Sequence, residues 1–79
     1  MATIQQVKDL VKLADKNANV DGLDERDDRV FGSVVSKAFA KMTGDERTAW
    51  VKKHIRRPLG TDSINLGVIV LLGPEEHLW

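Results

Sequence analysis

The run Asp15–Asp28, DKNANVDGLDERDD, gathers Asp15, Asp21, Asp24, Glu25, Asp27 and Asp28 around Asn17, Asn19 and Gly22. Alternating oxygen donors with a glycine among them are what a calcium loop needs: carboxylates and amides supply the ligands, and glycine makes the sharp turn. Counted from Asn17, the residues Asn19, Asp21, Glu25 and Asp28 fall at ligand positions of an EF-hand loop, and Gly22 falls at its glycine. The chemistry at both ends is wrong. The first ligand is the neutral Asn17, and the last is Asp28, too short for the two-oxygen grip of a glutamate. Asn, Asp and Gly are also the residues of turns and helix caps. The run is therefore read as a connector between two helices, with no metal and no cofactor assigned.

A second group lies in WVKKHIRR, residues 50–57. On a helix, Lys52, Lys53, Arg56 and Arg57 share one broad face with Trp50 at its edge. Such a face can hold phosphates and stack a base, or dock an acidic partner. Against nucleic acid stand the zero formal net charge and the acidic Asp45 and Glu46 at the start of the same segment. Nucleic-acid binding is kept as the alternative function. Catalytic residues are assigned to none: Ser33, Ser36, Ser63, His54 and His77 do not fall into a nucleophile–base motif, and no Gly-rich phosphate loop is present. His54 is read as a packed side chain.

The elements that must position these groups read as helices. Ile4, Val7, Leu10, Val11 and Ala14 recur at helical spacing from Thr3 to about Asn17, opened by a Thr3/Gln6 capping box. From Asp24 to Met42, the residues Val30, Phe31, Val34, Val35, Ala38, Phe39 and Met42 form an i, i+3, i+4 series. That series predicts a central helix burying Phe31, Val35 and Phe39. A third helix is expected over Thr43–Arg57, with a Thr43/Glu46 capping box, an apolar seam of Thr48, Val51 and Ile55, and Pro58 as its stop. Leu66–Leu72, LGVIVLL, has no polar side. Its β-branched Val68, Ile69 and Val70 suit a strand, but with no partner strand expected elsewhere, a buried helix closed by Gly73 and Pro74 is favoured. The expected fold is all-α: a small domain of three to four helices spanning residues 1–79, with an apolar C-terminal segment.

Seventy-nine residues make one small domain, and the chain has no cysteine, hence no disulfide framework. No secretory leader is read at MATIQQVKDL, and the apolar run is far short of a membrane span. A cytoplasmic setting without membrane contact is expected. Small domains without a disulfide or metal commonly gain stability from a partner. The chain is therefore expected to be a non-enzymatic protein-interaction module: an adaptor, inhibitor or assembly factor. It is expected to self-associate as a homodimer through Leu66, Ile69, Leu72, Leu78 and Trp79.

Overall fold

The segment expected to form the central helix folds instead as a β-hairpin. The computed structural model describes residues 1–76. In it, Leu23–Arg26 (β1) and Arg29–Val35 (β2) pair antiparallel, with Arg26 opposite Arg29. The connection is two residues, Asp27 and Asp28, with φ of 52° and 63°. Two successive residues at positive φ make a type I′ turn, whose twist matches that of the flanking strands. The acidic pair, expected at the end of a connector between two helices, is thus the tip of a hairpin. Valines at positions 30, 34 and 35 are stiff at χ1 and suit a pleated strand.

Gly32 decides the matter. It adopts φ of 127°, a conformation closed to other residues, and a Cβ there would lie 2.1 Å from the carbonyl oxygen of Gly22. The backbone of Gly22 and Leu23, at the start of β1, lies close against β2 at this point, where the Ser33 N–H donates to the Gly22 carbonyl at 3.1 Å. Side chains then alternate across β2. Val30 and Val34 are fully buried, while Phe31 and Val35 are half-buried on the other face. Phe39, fully buried as expected, sits on a short 3₁₀ turn, Lys37–Phe39, after the strand.

The apolar C-terminal segment is also a strand. Leu66–Leu72 (β3) runs parallel to β2, with Val34 opposite Leu71 and Val35 opposite Leu72. Between the Val30–Leu66 and Gly32–Ile69 pairs β3 carries an extra residue, a bulge at Gly67 and Val68. The partner strand that seemed missing is β2 itself. The architecture is α/β: a three-stranded mixed sheet in the order β1-β2-β3 with two main helices, and not an all-α helical bundle.

The two helices open as their sequences require. Ile4–Ala14 (α1) and Gly44–Val51 (α2) each begin with a complete capping box, Thr3 with Gln6 and Thr43 with Glu46. After α2 the chain passes through a π-helical turn, Lys52–Arg56, into one last α-helical turn, Arg57–Leu59 (α3). Pro58 therefore lies inside the helical run instead of stopping it. A proline in a regular α-helix clashes with the carbonyl four residues back, and the wider π turn directly before Pro58 relieves that crowding. Gly60, at φ of 57°, ends the run.

Val7 and Val11 of α1, with Val51, Ile55 and Leu59 of the second helical run, pack on Leu23, Val30, Val34, Leu66 and Leu71 of the sheet. Three polar ties lock the layers. Asn65 binds both backbone groups of Ala2 at 2.8 Å and the Asp28 carbonyl at 2.6 Å, joining the N-terminal segment to the hairpin tip. Asp15 accepts from the buried Ser36 hydroxyl at the end of β2. Arg47 of α2 donates to the Leu71 carbonyl at 2.9 Å and the Phe39 carbonyl at 2.8 Å, and forms a two-pronged pair with Glu76 at 2.7 and 2.9 Å. The Arg47 guanidinium, helped by the Gly73 N–H, pulls the Glu76 carboxyl down from 4.5 to about 2.

These features set three outcomes. Asp28→Gly removes a left-handed non-glycine residue and should raise stability by roughly 1 kcal/mol in denaturant unfolding. Gly32→Ala should cost on the order of 1–3 kcal/mol from backbone strain alone, and more from the clash with Gly22; an unchanged midpoint would mean that the Gly22 backbone does not approach Gly32 so closely. Glu76 is depressed in the folded state, so its stabilisation is complete above its ordinary value and disappears as the pH falls through the folded one. The gap in Tm between the parent chain and Glu76→Gln, open at pH 7, should close as pH falls from 4.5 toward about 2. A gap that stays constant over that range would show that the ion pair does not form.

Candidate functional site

Along the free edge of β3 runs a groove whose other wall is the second helical run. It has a volume of roughly 670 Å³, within the usual range of ligand clefts. Val68, Ile69, Val70 and Leu71 form the strand wall. Gly44, Arg47, Thr48 and Val51 of α2, with Lys52, Arg56 and Arg57 beyond it, form the helix wall.

The π turn explains why three cations reach one groove. In an α-helix, residues five apart point about 140° away from each other. In a π turn the hydrogen bond spans five residues and stacks such a pair. Here the Arg57 N–H donates to the Lys52 carbonyl, which brings Arg57 over Lys52. All three cationic residues are exposed, and none has a salt-bridge partner among the described residues.

The backbone of β3 is the other half of the site. The strand is an edge: among the described residues β2 is its one neighbouring strand. The Leu72 carbonyl accepts from Ser36 N–H at 3.0 Å, on the β2 side, and the Leu71 carbonyl accepts from Arg47 on the opposite side. Backbone groups alternate along a strand, so those of Ile69 point away from β2 as those of Leu71 do. Val68 is 74% exposed beside them. Arg47 already occupies the Leu71 carbonyl, and its own Nε is buried without a partner.

The residues singled out in the sequence separate in space. Lys52, Arg56 and Arg57 line the groove; Lys53 is exposed outside its lining. Trp50 turns to the core, its ring edge-on to Phe39 at 5.0 Å and tilted against His54 at 4.7 Å, so it does not share a site with the cations. Of the expected interface residues, Leu66 is buried under the helices, Ile69 is half-buried and lines the groove, and Leu72 is half-buried on the opposite face of the sheet. Leu78 and Trp79 lie outside the described residues.

Arg47, Thr48, Val51, Val68 and Leu71 were not singled out as site residues. Arg47, Thr48, Val51 and Lys52 are spaced i, i+1, i+4, i+5, which already places them on one helical face. The strand opposite them carries a β-branched signal in Val68, Ile69 and Val70, but its pairing partner β2 is not legible in the sequence.

The acidic run does not form a loop. Glu25 lies in β1 and accepts from the Ile4 N–H at 2.9 Å, Asp28 sits at the hairpin tip, and the Asn19 side chain accepts from the Asp21 N–H at 2.8 Å. Among the described residues no three His, Cys, Asp or Glu side chains gather closely enough to hold a metal ion, and no helix is long and apolar enough to cross a membrane. No family model, curated protein or solved structure matches the chain.

Proposed function

We propose that this chain is a non-enzymatic protein-interaction module that binds an extended segment of a partner by strand addition to β3. The observation that carries the reading is the free edge itself. The backbone groups of Ile69 point away from β2 beside an apolar-floored groove, the arrangement in which an added strand gains main-chain hydrogen bonds while the groove sorts its side chains. Unguarded edges invite such pairing, and proteins usually blunt them with charge. The short edge strand β1 is blunted by Asp24, Glu25 and Arg26, all exposed. The seven-residue β3 carries no charge at all.

A second copy is a less favourable strand donor than a different protein. Antiparallel two-fold pairing of β3 with itself would set two helical runs side by side on one face of the joined sheet. The Lys52, Arg56 and Arg57 of each copy would then face each other across the join. Homodimerisation through the apolar segment therefore gives way to capture of a foreign strand. The cysteine-free composition suits a reducing cytoplasm.

The test uses Val68→Lys, which places a charge on the edge at an exposed position and should leave Tm within a degree or two. Peptides selected from a random display library on the parent chain should bind the variant at least about tenfold more weakly. They should slow hydrogen exchange at the Ile69 and Leu71 amides. Selected peptides that bind the variant equally well and protect amides elsewhere would remove the β3 edge from the function.

A further inference from the structure

We infer that the segment captured at β3 is acidic: an extended stretch of a partner protein with an apolar side chain in the groove and carboxylates two residues to either side. This rests on the strand-addition reading and specifies its partner. Side chains on one face of a strand recur every second residue. A strand laid along Ile69 therefore presents every other side chain to the helix wall. The floor of that wall is Val51 with Ile69 and Leu71, which accepts an apolar group. Its rim is Lys52, Arg56 and Arg57, exposed and free of salt bridges among the described residues.

The bias is local. Of the twelve carboxylates, Asp24, Glu25, Asp27 and Asp28 lie on the β1 hairpin at the opposite edge of the sheet, and Asp45 and Glu46 sit in the first turn of α2, at the other end of the helical run from Arg56 and Arg57. Guanidinium groups favour carboxylates through paired hydrogen bonds, so Arg56 and Arg57 give the rim direction as well as charge. Arg47 fixes how far the segment reaches. It covers the Leu71 carbonyl, so pairing is confined to the part of β3 before that point.

Fluorescence anisotropy with three labelled peptides decides this. The peptides share one valine- and threonine-rich extended core and differ only in flanks of Glu, Gln or Lys. At low salt the Glu-flanked peptide should bind the parent chain roughly tenfold more tightly than the Gln-flanked one, and the advantage should shrink as salt rises. In the triple variant Lys52→Glu, Arg56→Glu, Arg57→Glu the order should invert in favour of Lys flanks. Because all three positions are exposed, circular dichroism should be unchanged; if that variant does not fold, the peptide series on the parent chain still decides. Equal binding of Glu- and Gln-flanked peptides would overturn the acidic partner and leave strand addition standing. Binding of none of the three would overturn both. Displacement of the Glu-flanked peptide by a short oligothymidylate at lower concentration would assign the rim to nucleic acid. Mass that grows with concentration in light scattering would assign the edge to a second copy. Either result would overturn the inference.

Discussion

The parallel pairing of β2 with β3 is the constraint on which the remaining structure depends. Parallel neighbours cannot be joined by a tight turn, so the chain must travel back along the sheet before the second strand begins. Residues 36–65 make that journey, and the capped helix α2 with its π and α extensions covers most of it. The helical run then packs on the sheet face carrying Val30, Val34, Leu66 and Leu71, which makes the core. Arg47 ties the return path to the C-terminal end of the pairing, holding the Phe39 carbonyl just after β2 and the Leu71 carbonyl near the end of β3. Without that pairing, neither apolar stretch has a place to bury.

What was legible in the sequence follows the range of the forces involved. Both capping boxes are local hydrogen-bond patterns, written in residues three apart, and both form at Thr3 and Thr43. The hairpin was concealed by two coincidences. Its turn is Asp27-Asp28 instead of a glycine-containing pair, so the acidic residues carry no hairpin signal and fit a connector between helices equally well. Apolar residues also occupy both faces of β2, Val30 and Val34 inward with Phe31 and Val35 outward, which erases the alternation that marks a half-buried strand. The remaining pairs, one and three apart, imitate helical spacing. Gly32 within a β-branched run was the local clue. Once β2 is lost, β3 has no visible partner, so the second misreading followed from the first.

The candidate site was half legible for the same reason. Its cations are adjacent in sequence and stand out by type. Their gathering into one groove depends on a π turn, a departure in hydrogen bonding that Pro58 makes intelligible only after the helix is seen to continue past it. Trp50, grouped with them on a helical wheel, faces Phe39 in the core. A wheel drawn for regular α-geometry puts Lys52 and Arg57 at opposite limits of one broad face, about 140° apart, and does not show the stacking that the wider turn produces.

Stability and recognition meet in Arg47. Its grip on the Leu71 carbonyl secures β3 to the helix and, by the same bond, withdraws that carbonyl from any added strand. Glu76 holds the other side of the guanidinium while accepting from the Gly73 N–H, so the residues after β3 help to keep the edge closed at that end. The uncovered part of the edge is therefore short and placed beside the cationic rim. On the strand-addition proposal, a partner strand would gain main-chain bonds only there and would have to satisfy the rim at the same time. A domain of this size has little stability to spare, and anything that binds its folded form alone raises the folded population by mass action. An added strand on β3, whose edge carries no guarding charge among the described residues, would thus stabilise the fold as it binds.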